Sequence, residues 1–366
     1  MGAVGGTDEE CCFENDLGAE ETMMKILCWI SSRNDGILHI TDSLRQMGNT
    51  VYFFPTEAYR EVCSYLQKKL DKFGFHAARD AYLEQWRDQL RYILDESEPD
   101  LALFIGSPRA VMTPQELQKL QKSVPTVCWF VDAVKDDEDH SYLPYYDHVF
   151  VFEKRDIASL REQYRIAAEY CPVGYNSAYV DAVKQTDKDI DIVFVGSPFK
   201  NRLHILEELC VHAEKNRWKM KLYGPFYDER YFWKKCFFHH RYPRIARYLQ
   251  NGAVEPAAVA NLYARSKICL NIHLPEHKGV NPRTFEIMAT GSFQLIDVRE
   301  DYGGLDPEQD MVVFDTITEL IEKIIYYLEH EDERERVAAH GRKSVIEHYS
   351  MGECLNRILS LCENEG

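Results

Sequence analysis

The sequence has no paired-cysteine framework, no long apolar run, no excess of basic charge and no dinucleotide fingerprint, and each absence removes a class of function. Its 11 cysteines are an odd number scattered through apparent strands and helices, with no C-x-x-C pair and no Cys/His spacing suited to zinc. They read as reduced, buried residues of a cytoplasmic protein. The histidines, His239-His240 among them, show no ligand spacing either, so no metal site is expected. No stretch approaches the ~20 apolar residues that a membrane span requires. Residues 1–22, "MGAVGGTDEECCFENDLGAEET", are acidic and glycine-rich, lack the apolar core of a signal peptide, and read as a disordered leader. Lysine and arginine total 43 against 60 acidic residues, a net charge of -17. Such a surface repels a phosphate backbone over most of its area, which excludes nucleic acid as a partner. An anionic ligand must then be held by a local basic cluster or by backbone donors.

What is present is ample apolar material in a regular rhythm. A chain of 366 residues, 45% hydrophobic with 22 tyrosines, is globular and of a size that divides into two domains. Short apolar runs alternate with longer amphipathic segments, the signature of parallel sheets covered by helices. The first series is "MKILCWI" (24–30), "NTVYFFP" (49–55), "PDLALFIGS" (99–107), "VPTVCWFVD" (124–132) and "DHVFVFE" (147–153). A polar, poorly patterned stretch at 174–188 reads as a linker. The rhythm restarts with "DIVFVGS" (191–197), "KMKLYG" (219–224), "KICLNIH" (267–273), "GSFQLIDV" (291–298) and "DMVVFDT" (310–316). The expected class is α/β, with two doubly wound domains at 23–173 and 189–348 and a final helical segment at 349–366. No short repeat supports a solenoid.

In such sheets ligands bind beyond the carboxyl ends of the strands, and the cleft between two facing sheets is the default site. The stretch "HKGVNPRTFEIMATGSFQLID" (277–297) follows the strand "KICLNIH" and so opens a helix at that cleft. Gly279 supplies backbone freedom, Asn281 is a good N-cap, and Pro282 fits the first helical position. Amides at the helix start, with the positive end of the dipole, suit a phosphate group. Arg283 adds a charge-assisted contact. Glu286, one turn on, reaches the same mouth, where a carboxylate suits paired sugar hydroxyls. Taken alone, the same residues are also compatible with a capped surface helix carrying an i,i+3 ion pair.

"LNIHLPEHKGVNPRTFEIMATG" (270–291) resembles the C-terminal signature of the CgeB-like glycosyltransferases, named for a spore maturation protein and related to glycosyltransferase group 1. "DIVFVGSPFKNRLHILEEL" (191–209) and "VPTVCWFVD" followed by "YYDHVFVFEK" look like the same family. The resemblance spans most of residues 100–350 and is specific in the second half. It implies a GT-B architecture: two Rossmann-like domains, the second holding a nucleotide-sugar donor, a UDP-sugar being expected, and the first admitting an acceptor. It also implies that the last helix packs back on the first domain, through Leu355, Ile358, Leu359 and Leu361. Carried over, Glu286 would bind the ribose hydroxyls, and Arg283 and the amides near Thr284 would face the diphosphate. Gly196, Lys200 and Arg202, at the first strand-helix junction of the second domain, would face it too. GT-B enzymes typically neutralise the leaving diphosphate with basic side chains and helix dipoles, so no cofactor and no metal requirement is expected.

One departure stands out. Many retaining relatives carry a second glutamate eight positions before the ribose-binding one, to touch the donor sugar, whereas here that position is Lys278, with Glu276 out of register. Retention is expected by analogy only. A catalytic base, if the reaction inverts, belongs at a strand's carboxyl end in the first domain, and Asp132 is the candidate, with a helix-cap or loop aspartate as the plain alternative. The turn "SSRNDG" (31–36) lacks G-x-G-x-x-G, so it is no dinucleotide site, but Asp35 or His39 could position an acceptor. From Arg217 to Tyr248, nine Lys/Arg stand against two Asp/Glu, interleaved with eleven aromatic residues. That strip reads either as a contact for an anionic acceptor or a membrane surface, or as a helical insertion with solvated cations. Two functional classes follow: a glycosyltransferase acting on a glycan, protein or lipid-linked acceptor, and a catalytically silent nucleotide-sugar or glycan-binding partner protein, which Lys278 keeps open.

Overall fold

Continuous apolar runs form strands buried on both faces, and the helices between them supply the two covers. The computed structural model describes residues 24–30, 35–55, 64–109, 111–134, 140–181, 183 and 187–363. The expected leader at 1–22 and most of the turn at 31–36 lie outside these residues. The first sheet comprises β1 (Lys25–Ile30), β2 (Thr50–Pro55), β3 (Leu101–Ile105), β4 (Thr126–Phe130), β5 (His148–Val151) and β6 (Ala168–Tyr170), ordered β2-β1-β3-β4-β5-β6. The second comprises β7 (Ile190–Val195), β8 (Met220–Gly224), β9 (Leu249–Asn251), β10 (Ser266–Asn271), β11 (Gln294–Asp297) and β12 (Val312–Phe314), ordered β12-β11-β10-β7-β8-β9. Every pairing is parallel. All ten apolar runs are strands; the two short edge strands β6 and β9, three residues each, carry no such run.

Each sheet reverses its strand order once, between β1 and β3 and between β7 and β10, and a crevice opens beyond the strands at such a point. Register places Leu270 of β10 beside Phe194 of β7 and Leu295 of β11. All three are essentially inaccessible to solvent, so the ends of β7 and β10 are held rigidly side by side. Close backbone approach requires glycine at the end of β8, beside the carbonyl that follows β7. Gly224 takes φ +142°, and a Cβ there would stand 2.1 Å from the Gly196 carbonyl oxygen.

The chain passes between the domains twice, and the two passages are stitched together. Tyr175 N–H donates to the Tyr349 carbonyl (3.0 Å) and Met351 N–H to the Tyr175 carbonyl (2.8 Å). A Cβ on Gly174 would lie 2.4 Å from the Tyr349 oxygen, so only glycine lets the strands run this close. After the second passage the helix Met351–Glu363 lies against the helix Asp35–Gln46 of the first domain. Leu355 and Ile358 are fully buried there, in one core with Ile26, Ile40, Leu44 and Trp129. Replacing Leu355 with Ala should cost about 2–5 kcal/mol in urea unfolding and speed amide exchange in both helices. A change below about 0.5 kcal/mol, the range of ordinary surface substitutions, would remove this helix from the account of domain cohesion.

Candidate functional site

The site grows from the end of β10. Asn271 is fully buried, and its side-chain amide donates towards Asn281 Oδ1 (3.1 Å), Thr284 Oγ1 (3.1 Å) and Gln294 Oε1 (3.0 Å). Asn281 returns a bond from Nδ2 to Asn271 Oδ1 (3.1 Å) and caps the helix Pro282–Ala289 by accepting Thr284 N–H. The His273 ring is fixed at both nitrogens: Nε2 accepts Asn281 N–H (3.0 Å), so Nδ1 carries the proton and donates to Asp297 Oδ1 (2.7 Å). Burial lowers the basicity of His273 against the pull of Asp297. Its imidazole is neutral and spent on holding the loop.

A cleft of about 670 Å³ opens at this helix start, walled by both domains. Arg202, in the first turn of the helix Lys200–Asn216, is only 6% exposed. Its Nε donates to the Ile272 carbonyl (2.8 Å) and its Nη1 to the Ser197 carbonyl (3.3 Å), while its guanidinium lies near the Phe199 ring. Burial, and then the nearby charge of Arg283, push the Arg202 guanidinium down to about 10. It stays protonated at neutral pH beside a second cation. Arg283 also lines the cleft, and its Nε is buried with no hydrogen-bond partner. Glu286 completes the mouth. Burial raises its carboxyl above the ordinary range, opposed by Arg283 and by a hydrogen bond from the Tyr179 hydroxyl. Two cations with unspent donors and one carboxylate thus face a common space.

Other predicted residues fall differently. Gly196 is buried beside Arg202, where a Cβ would crowd the Phe194 ring at 3.0 Å. Lys200 is exposed and does not line the cleft. Thr284 is fully buried and gives its amide to the cap, so it stands behind the helix start and not at its mouth. Gly279 needs no unusual backbone, and a Cβ there would make only ordinary contact with Glu153 at 3.9 Å, which corrects the expectation of a conformational role. Asp35 opens the helix Asp35–Gln46, but its side chain lies outside the described residues. His39 lines the cleft with a buried Nε2 that has no hydrogen-bond partner. Of the cysteines placed, Cys28, Cys128, Cys171, Cys210, Cys269 and Cys354 are buried, whereas Cys236 is exposed.

Sequence reasoning missed the group at the centre of the cleft. His277 stands opposite Asp132, Nε2 to Oδ1 at 3.8 Å, and its Nδ1 meets Glu153 Oε1 at 2.9 Å across the domain boundary. Glu153 is 1% exposed and also accepts Lys278 N–H (3.2 Å) and pairs with Arg155 (2.6 Å). The bond to Glu153 raises the basicity of His277 in spite of burial. Burial works to raise the Glu153 carboxyl, but His277 and Arg155 outweigh it and hold the carboxyl low. A second strut joins Lys154 to Asp301 at 3.0 Å. Lys278 itself turns to Glu300, away from the cleft. The signal for Glu153 was its position just past β5, level with Asp132 past β4. Tyr179 was hidden in a polar stretch that shows no period.

Among the described residues no group of His, Cys, Asp and Glu is arranged to hold a metal ion, and no helix is long and apolar enough to cross a membrane. A smaller groove of about 420 Å³, between the helices Ala77–Ser97 and Pro114–Gln121, is floored by Leu90, Leu94 and Met112. Its arginines, Arg87 and Arg91, are engaged by Glu84, Asp88 and Glu116. No comparable unspent set of charges converges there.

Residues 202–360, which include Arg202, Arg283 and Glu286, match the family model described as glycosyl transferase-like. The spore protein CgeB of Bacillus subtilis (strain 168) is 24% identical over 175 residues, 44% of this chain and 51% of that protein. In its second half the chain is thus similar to CgeB, and its fold is of the GT-B type. It spans about half the length of that curated relative. A glycosyltransferase from Rickettsia africae ESF-5 superposes on this chain with a TM-score of 0.65 at 13% identity, over 93% of this chain and 98% of that one. Sucrose-phosphate synthase from Thermosynechococcus elongatus gives 0.65 at 14%, over 93% and 100%. HepE of Anabaena, solved in complex with UDP and glucose, gives 0.61 at 12%, over 93% and 99%. At these identities the structural likeness establishes the fold.

The His277–Glu153 pair makes a pH-dependent link. His277, raised, contributes fully below the ordinary imidazole value and loses its contribution as pH rises through its own higher value; Glu153, lowered, contributes above the ordinary carboxylate value and loses it as pH falls through its own. The full window thus runs from about pH 4.3 to 6.5, with decline above it as His277 deprotonates. Thermal denaturation should show wild-type Tm falling from pH 6 to 9 more steeply than that of His277→Gln. Parallel curves would refute the link.

Proposed function

We propose that this protein transfers a sugar from a nucleotide-sugar donor to a hydroxyl-bearing acceptor, a glycan, protein or lipid-linked glycan, in the cleft between its domains. The observation that carries the reading is the convergence of Arg202, Arg283 and Glu286 at one helix start, with a buried Arg283 Nε lacking any partner. In glycosyl transfer the bond from the anomeric carbon to the diphosphate oxygen breaks, the oxygen keeps the electron pair, and the acceptor oxygen takes its place, its hydroxyl proton passing to the departing diphosphate when configuration is retained. Charge develops on the diphosphate, so cations already fixed at that spot stabilise the transition state more than the ground state. Arg202 and Arg283, with the positive end of the helix Pro282–Ala289, fill this role without a divalent metal in our reading. Glu286 accepts the paired ribose hydroxyls. We take the donor base as uracil, in line with the UDP held by the similar HepE structure. A reducing, cytoplasmic setting agrees with the burial of most of the placed cysteines.

Retention at the anomeric carbon is the proposed stereochemistry. Lys278 turns away to Glu300, and the neighbouring His277 presents the side chain that enters the cleft. Asp132, at the mouth with a side chain 62% exposed, would be needed as a base only for inversion. That same turning away of Lys278 supports the second reading, a silent partner that binds nucleotide-sugars without transfer. Turnover separates the two.

Thermal shift against UDP-, GDP-, ADP-, CDP- and dTDP-sugars, with and without chelator, tests the donor site. UDP-sugars should raise Tm regardless of chelator, because ligand at about 100 times its Kd contributes about 2.7 kcal/mol. Glu286→Ala should weaken binding by about 1–3 kcal/mol. Since ribose hydroxyls donate to the ionised carboxylate, affinity should also fall as pH drops through the raised range of Glu286. Unchanged affinity in Glu286→Ala would remove the ribose assignment, and a chelator-sensitive shift the metal-free reading. In an acceptor assay Asp132→Asn should stay within about threefold of wild type if configuration is retained. A loss of about 10²–10⁴-fold, with inverted product by NMR, would make Asp132 the base.

A further inference from the structure

The helix Phe232–Arg241 inverts the usual logic of a surface helix in an acidic protein. Only Phe238 is buried; its ring packs among Phe226, Tyr227 and Tyr242 and fastens the helix to the second domain. Outward stand Tyr231 (46% exposed), Phe232 (77%), Trp233 (64%) and Phe237 (66%), the densest set of exposed large rings in the described chain. A helix with nothing to meet there would carry charged residues on that side. Structure also sorts the cations of the strip. Arg230 and Lys234 are engaged by Asp228, Arg244 by Glu207, and Arg247 by Glu214. Lys235 and Arg241, both exposed, flank the rings with no acidic partner among the described ion pairs, and Arg241 lies over the Tyr242 ring at 5.2 Å. The balance of charge on this edge is therefore small but positive, within a chain of net charge -17.

We propose that this helix docks the protein on an anionic lipid surface, with Phe232, Trp233 and Phe237 inserted at the headgroup boundary and Lys235 and Arg241 facing the lipid phosphates. Three features favour lipid over a second copy of the chain. The four exposed rings offer roughly 500 Å² at about 200 Å² per aromatic side chain, short of the about 800 Å² per partner of a standard interface. Rings and cations alternate, and Trp, Tyr and Phe beside Lys and Arg suit the boundary between water and hydrocarbon. Elsewhere the acidic surface repels an anionic bilayer, so this edge sets a single orientation. The helix lies between β8 and β9, in the connection that leaves the carboxyl end of β8. Docking here would hold the second domain at the membrane.

The full chain should co-sediment with vesicles of phosphatidylglycerol and phosphatidylcholine and bind pure phosphatidylcholine at least tenfold more weakly. Brominated lipid should quench its fluorescence, and the Trp233→Phe variant, which keeps the ring, should lose most of that quenching. Combined Phe232→Ser, Trp233→Ser and Phe237→Ser should cut vesicle binding at least tenfold, and Lys235→Gln with Arg241→Gln several-fold, each leaving nucleotide binding at the cleft unchanged. The proposal is overturned by absence of vesicle binding, by quenching that survives Trp233→Phe, or by binding indifferent to the triple substitution. Dimerisation of the wild type in sedimentation velocity, abolished by the triple substitution, would overturn it too by giving the face to a second copy.

Discussion

The reciprocal amide pair between Asn271 and Asn281 is the contact on which the site depends. Asn271 is buried at the end of a central strand, where an unpaired amide would cost about 1–3 kcal/mol. Its partners are on the helix it positions, so satisfying the strand residue and placing the helix are one event. Asn281 spends its side-chain oxygen on the Thr284 amide and its own N–H on His273 Nε2. Pro282 has no N–H to give. The helix start is thereby aimed at the cleft with little adjustable geometry left, which is the condition under which fixed dipoles and charges stabilise a developing negative charge.

Against that rigid base the electrostatics are deliberately incomplete. Arg202 donates to two carbonyls, which hold it in place without neutralising it. Arg283 close by lowers its basicity further, and Arg283 Nε is itself unpaired. A depressed guanidinium means that the charged form is disfavoured in the empty protein, by on the order of a few kcal/mol at roughly 1.4 kcal/mol for each unit of displacement. That disadvantage comes first from burial and then from the charge of Arg283, and an anion in the cleft would offset part of it. In the proposed reading Glu286 keeps the cleft from being a generic anion trap, since a carboxylate repels phosphate and accepts hydroxyl donors. The order along the helix, cation first and carboxylate one turn later, matches a ligand with a diphosphate at one end and a ribose at the other.

Much of the fold was legible because parallel strands buried on both faces leave uninterrupted apolar runs, and ten such runs stand as strands. β6 and β9 were invisible because a three-residue edge strand has one neighbour and needs no apolar run; the segments "AEY" and "LQN" look like loop. Within the site, Asn281, Pro282, Arg283 and Glu286 were readable from local rules of capping and helical spacing. Thr284 was misplaced because those rules do not tell a mouth from a back wall; that depends on Asn271, thirteen residues away and in another element. His277, Glu153 and Tyr179 act through contacts 124 residues apart or from the far side of the linker, and single-sequence patterns hold no such information.

His277 ties the two scales of the structure together. Its ring is both a wall of the cleft and one end of a link between the domains, and its carbonyl accepts Arg299 Nη1 at 2.7 Å, while Arg299 Nη2 binds the same Asp297 that orients His273. A displacement of His277 would therefore strip a buried carboxylate, Glu153, of its main partner and disturb the Asp297 end of the helix-start network. Opening the domains is costly for the same reason that moving the loop is costly. By thermodynamic reciprocity, a ligand that steadied the helix start would also favour the arrangement in which His277 meets Glu153. Such a coupling would need no dedicated relay, because one residue carries both contacts.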